Sequence, residues 1–152
     1  MKTRILALIL MPLLCFVSSC SLFGGVADTG AVTVVIENSG EFKEYKIALE
    51  KVENKDEGAF GVLEALQADK RDPLHLKVED GAFGAYITEI GDLKNSGGGY
   101  IMVYTSNKTD SYEGAPTTYY EGITLYQAGL GLSGMSVEEG TVILFRLEKS
   151  PY

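Results

Sequence analysis

Three observations put this chain in the α+β class. Two β-rich runs, Ala31–Glu37 and Phe42–Lys51, flank the turn cluster Asn38-Ser39-Gly40 as the arms of a hairpin do. Only Phe60–Ala68 spaces its apolar residues as a helix does. Beyond it the chain returns to short apolar or alternating runs cut by glycine and proline. A hairpin, one helix and then more strands is an α+β order rather than a series of βαβ units. There is no internal repeat and no sign of a second domain.

In order, Ala31–Glu37 is β-branched almost throughout and makes the first strand. Along Phe42–Lys51, Tyr45, Ile47 and Leu49 alternate with charges, which suits the outer strand of the hairpin. The polar stretch Asn54–Gly58 leads into the helix, whose Val62, Leu63 and Leu66 share a face, with Asp56 or Glu57 near its start. After Asp72-Pro73, Leu74, Leu76 and Val78 alternate with His75, Lys77 and Glu79, a short strand with its histidine facing solvent. Phe83–Ile90 and Tyr100–Tyr104 are two further strands, joined by a turn-rich segment that ends in Gly97-Gly98-Gly99. Tyr100–Tyr104 is apolar or aromatic at every position, so a central strand buried on both faces is expected there. In Ser106–Thr118, Gly114 and Pro116 point to an irregular polar loop. Strands follow at Ile123–Ala128 and Thr141–Leu147, and residues 149–152 form a frayed tail.

The N-terminus reads as a leader. Lys2 and Arg4 precede the apolar run Ile5–Val17, too short to span a bilayer, which closes on Val17-Ser18-Ser19-Cys20. This resembles the lipobox of bacterial lipoproteins. The resemblance implies a signal peptide over 1–19, cleavage before Cys20, and a diacylglycerol on its thiol. Cys15 then leaves with the leader, so no disulfide and no thiolate metal site is expected. Residues 20–30 make the lipidated cysteine and a short glycine-containing tether, with a flexible reach of only ~17–19 Å. The domain is expected at the extracytoplasmic face of the cell membrane, held through its acyl chains. Of 13 basic residues, Lys2 and Arg4 are lost with the leader, leaving 11 against 21 acidic ones, a net charge of −10. Such a surface repels phosphate backbones, so nucleic acid is not an expected partner.

A further resemblance covers Ala31–Leu147. It rests on Val62-Leu63-Glu64-Ala65-Leu66, Gly84-Ala85-Tyr86-Ile87-Thr88-Glu89-Ile90, Gly98-Gly99-Tyr100-Ile101-Met102-Val103-Tyr104, and Val137-Glu138-Glu139-Gly140-Thr141-Val142-Ile143. In order and spacing these resemble the transcobalamin-like C-terminal domain. That resemblance implies a β-grasp-like, mostly antiparallel sheet packed on a single helix over residues 31–148. It also implies a cobalamin-type ligand, with a helical partner, transporter or receptor completing the site. The Trp common after the glycines is replaced here by Ile101-Met102, so no binding role carries over from it.

No catalytic constellation is evident. Gly129-Leu130-Gly131-Leu132-Ser133-Gly134 matches G-x-G-x-x-G in form, but an acidic, turn-like stretch follows it where the dinucleotide fingerprint needs a helix. His75 is the only histidine and has no triad or zinc partners of the usual kinds. Asp69 with Asp72, Glu138 with Glu139, and Asp110 with Glu113 read as solvated neighbours. The expectation is therefore a non-enzymatic protein with no bound cofactor of its own.

The tyrosines carry the binding expectation, because each pairs a flat apolar face with a hydroxyl. Tyr100 and Tyr104 share a strand face and belong to the core or its rim. Tyr112, Tyr119 and Tyr120 lie in or beside the long loop and are the expected ligand-contacting set, at the opposite end of the sheet from the Asn95–Gly99 turn. Two function classes follow: a small-ligand-binding module, or a structural or protein-interaction module with these tyrosines at its interface.

Overall fold

The computed structural model describes residues 30–81 and 84–149. The leader, Cys20, the tether, Phe83 at the start of its expected strand, and residues 150–152 lie outside the described residues.

The first two strands form the expected hairpin. β1 (Ala31–Asn38) pairs antiparallel with β2 (Glu41–Ala48) across Ser39-Gly40, both at positive φ. Single 3-10 turns lead on to α1 (Gly58–Gln67), which is the only α-helix among the described residues. It starts two residues earlier than its apolar spacing suggests, and two glycines fix where it sits. A Cβ on Gly58 would stand 2.3 Å from the Met135 carbonyl oxygen, and one on Gly61 would stand 2.0 Å from that of Asn54. Only glycine admits backbone at that range.

A small antiparallel sheet comes next: β3 (Leu76–Gly81), β4 (Gly84–Ile90) and the two-residue β5 (Leu93–Lys94), in the order β3-β4-β5. The remaining strands are β6 (Gly99–Thr105), β7 (Thr117–Tyr120), β8 (Ile123–Gln127) and β9 (Val142–Lys149). They join the hairpin in a six-stranded sheet of order β2-β1-β9-β6-β8-β7. All its pairings are antiparallel except β1 with β9. The fold is thus mostly β, with one helix and a mixed sheet, an α+β arrangement. Among the described residues, no helix is long and apolar enough to cross a membrane.

The large sheet buries both faces. On one, Val32, Val34, Ile36, Ile143 and Phe145 pack against Val62, Leu63 and Leu66 of the helix and Ile90 of the small sheet. On the other, Val35, Val142, Leu144, Tyr104, Leu125 and Tyr120 form a second core. The sheet curls around this second core until its edge strands meet. The Tyr120 hydroxyl on β7 donates to Glu44 of β2, and the Tyr120 ring lies 5.3 Å from that of Phe42. Side chains close this seam; no β2–β7 ladder exists among the described strands.

Several expectations change. The strand buried on both faces is β9, whose Val142–Phe145 is buried throughout, and not Tyr100–Tyr104. β6 is an inner strand, but Ile101–Val103 is only half-buried and Tyr100 is exposed, because β8 pairs with just its last two residues. The Ser106–Thr118 stretch is not wholly irregular: Lys108–Asp110 is a 3-10 turn, and Thr117 and Thr118 begin β7. Lys149 belongs to β9, paired with Gly99, rather than to a frayed tail. Asp110 is 2% exposed, not solvated; its Oδ2 accepts the Ser136 N–H at 2.9 Å, pinning the loop to the segment before β9.

Candidate functional site

The expected set Tyr112, Tyr119 and Tyr120 does not converge. Tyr119 and Tyr120 are successive residues of β7, so their side chains leave opposite faces. Tyr119 is 71% exposed, whereas Tyr120 is 7% exposed with its hydroxyl committed to Glu44. Burial, then Glu44, push the Tyr120 hydroxyl pKa far above the usual phenol value. This corrects Tyr120 from a surface residue to a seam residue. Tyr112 is half exposed, its ring against Gly129 and its hydroxyl donating to Gln127 Oε1 at 3.0 Å.

The better-formed site lies where the β6–β8 ladder ends. The Ala128 N–H still reaches the Val103 carbonyl at 2.9 Å, but the Gly129 N–H turns away to the Asp110 carbonyl at 2.8 Å. β8 therefore peels off β6 and leaves a gap beside Ile101. Leu130-Gly131-Leu132 walls one side of the gap and Tyr86-Ile87 of β4 the other, around a cleft of about 300 Å³. Tyr100 flanks its mouth, and Tyr86, Tyr100 and Leu130 are large apolar side chains left about half exposed. The two glycine-bearing segments, Asn95–Gly99 and Gly129–Gly134, thus contribute to one site, which their separation in sequence hides.

Asn95 holds the cleft's base together. Its Oδ1 accepts the Ile101 N–H at 2.8 Å, and its Nδ2 donates to the Ile87 carbonyl at 3.1 Å, so one amide ties the large sheet to the small one. It takes the Ile101 N–H, which the β6–β8 register would have set opposite Leu130. On the outer face of the small sheet, the Tyr86 hydroxyl donates to Glu79 at 3.2 Å, which raises its pKa. Nearby, Glu89 is surrounded by Lys94 at 3.0 Å, His75 at 3.2 Å and Lys77 at 3.7 Å. Lys94 first, and His75 next, hold its carboxyl down at about 2.

Two other polar regions compete and lose. A larger cavity of about 430 Å³ is lined by Ser106, Asn107, Thr109, Ser136, Glu138 and Glu139. Its hydroxyl and amide groups are partly spent within the chain: Thr109 Oγ1 donates to Asn107 Oδ1 at 2.8 Å, and Ser106 Oγ accepts the Val142 N–H at 3.0 Å. Around Arg146, Glu148, Glu37, Thr118 and the Tyr104 hydroxyl form a satisfied box, with Arg146 Nη1 donating to Thr118 at 3.1 Å and Nη2 to Tyr104 at 3.0 Å. Such saturation is structural, since little remains for a ligand to bind.

A corrinoid does not fit inside the cleft. About 300 Å³ is the floor of small-molecule sites, room for one ring and not a macrocycle. His75 sits on the outer face against Glu89, away from the cleft, and no three metal-ligating side chains cluster among the described residues. Compared with known proteins, the chain matches no family model and no curated protein.

Proposed function

We propose that this protein is a non-enzymatic, lipid-anchored extracytoplasmic binding module whose cleft takes a planar apolar ring. The observation that carries the reading is that Tyr86, Tyr100 and Leu130, each about half exposed, border one gap. Exposed aromatics beside a formed apolar cavity are what a ring ligand needs, and each stacking contact contributes on the order of 1 kcal/mol beyond burial. Strand addition is the less favoured use of the gap, because Asn95 already holds the Ile101 N–H that an added strand would need.

The arrangement β2-β1-β9-β6 with β1 parallel to β9, and one helix across its face, supports a β-grasp-like core of the transcobalamin-like kind. On that reading β3–β5 and the β7–β8 hairpin are additions to it. A corrinoid would rest on this domain through one wall only, with a helical partner chain, transporter or receptor supplying the rest.

The anchor is proposed at Cys20, on the strength of Val17-Ser18-Ser19-Cys20. The domain's first strand begins beside Gly140, whose N–H donates to the Ala31 carbonyl at 2.9 Å. That is the Thr105 end of β6, whereas the cleft opens near its Tyr100 end, roughly 15 Å away at ~3.3 Å per residue. A short tether at the first end favours a ligand arriving from the aqueous side.

Two measurements test this. Mass spectrometry of the mature N-terminus should find an acylated Cys20, and Cys20→Ser should release the protein from membranes; an unmodified Cys20 removes the anchor. Calorimetric titration with cobalamin and a panel of single-ring aromatics should show ring binding weakened about tenfold by Tyr86→Ala. Failure of every planar compound to bind would leave the alternative, a structural or protein-interaction module.

A further inference from the structure

The base of the cleft is not apolar, and its polar groups narrow the ligand class. This step rests on the ring-binding reading above. A side-chain amide carries two N–H donors and an oxygen with two lone pairs. Asn95 spends one donor on the Ile87 carbonyl at 3.1 Å and one lone pair on the Ile101 N–H at 2.8 Å. One N–H donor is therefore left on a residue that lines the cleft.

The backbone supplies the complementary group. Within a strand, the N–H and C=O of one residue point to the same side. The Ser106 N–H reaches the Val142 carbonyl on the β9 side, so even-numbered residues of β6 face β9 and odd-numbered ones face away. The Ile101 N–H does face away, toward Asn95, and so does its carbonyl. No strand among the described residues pairs with Ile101 on that side, because the β8 pairing stops at Tyr104. A donor on Asn95 and an acceptor on Ile101 thus belong to two bonded residues that line the gap.

We infer that the cleft selects a planar aromatic ring bearing a carboxamide-type edge, whose carbonyl accepts from Asn95 Nδ2 and whose N–H donates to the Ile101 carbonyl. A bare ring covering these half-buried groups would leave both unpaired, and sites with unpaired polar groups discriminate against ligands that cannot satisfy them. Asn95 then acts as both the tie between the sheets and the reader of the ligand.

The experiment is a titration of the ¹⁵N-labelled domain with benzamide and, separately, toluene, followed by NMR. The expected result is movement of the Ile87 and Val103 backbone signals with both probes, movement of the Asn95 side-chain NH₂ signals with benzamide alone, and about tenfold tighter binding of benzamide. Asn95→Asp keeps an oxygen for the Ile101 N–H and removes the donors, so it should abolish the preference, with benzamide and toluene then binding alike. Equal binding of the two probes with a stationary Asn95 signal would overturn the inference and leave the ring cleft standing. Absence of any shift around the cleft would overturn both. Should Asn95→Asp fail to fold, the wild-type spectra decide the matter alone.

Discussion

Tyr104 and Tyr100 lie four residues apart on one face of β6, yet Tyr104 is 1% exposed and Tyr100 is 56% exposed. Around Tyr104, β8 and β9 flank the strand on both sides and the curled sheet folds over it. Its hydroxyl donates to Glu148 at 2.7 Å and accepts from Arg146, and burial, then Glu148, push its pKa up to about 12. Around Tyr100 the β8 ladder has already ended. The same residue type is core where the ladder continues and exposed surface where it stops. What separates the two is the departure of the chain at Gly129, a backbone event.

The largest expected break in this comparison comes at the closed end. Tyr104→Ala removes a fully buried aromatic and strands the Arg146 box, so it should cost about 3–5 kcal/mol in denaturant unfolding. Tyr100→Ala, if the two tyrosines were equivalent, would cost the same; a loss under about 0.5 kcal/mol is expected.

The seam gives the next effect. Tyr120→Phe keeps the ring against Phe42 and deletes the hydroxyl that reaches Glu44. A loss of about 1 kcal/mol is expected, and Glu44→Gln should remove most of the difference between Tyr and Phe at position 120. Independent effects of the two substitutions would mean that the sheet edges do not meet through this bond.

A smaller effect belongs to the outer face of the small sheet. Glu89 has its folded pKa held below the ordinary carboxylate value, so its contribution is present above about pH 4.5 and is lost as pH falls toward about 2. Glu89→Gln should flatten the acid side of the Tm–pH profile over that window and leave it unchanged near neutrality relative to the variant's own baseline. An identical acid limb in both proteins would remove Lys94 and His75 as its partners.

Much of the fold was legible because its signals are local. The hairpin of β1 and β2 follows from β-branched residues on either side of Asn38-Ser39-Gly40, and the helix from Val62, Leu63 and Leu66 on one face. The site was less legible because it depends on what is far apart in sequence. Nothing local to Tyr120 announces Glu44, and nothing local to Asn95 announces Ile87 and Ile101 as its partners. The assignment of Ser106–Thr118 as a wholly irregular loop failed for a related reason: Thr117-Thr118 gains strand geometry from pairing with Leu125 and Tyr126, against the breaking effect of Pro116. Gly129, read as part of a plain connection, was the one sequence signal that could have located the cleft, since it marks where a strand loses its neighbour.

On the proposed reading, the ligand-contacting tyrosines are those beside the broken ladder, not those of the long loop. Calorimetry on two double variants tests it most directly, using whichever planar ring in the panel binds the wild type most tightly. Tyr86→Ala with Tyr100→Ala should weaken binding at least tenfold with Tm nearly unchanged, while Tyr112→Ala with Tyr119→Ala should leave binding within about twofold. The reverse pattern, with binding lost only when Tyr112 and Tyr119 are removed, would contradict the account and return the site to the long loop.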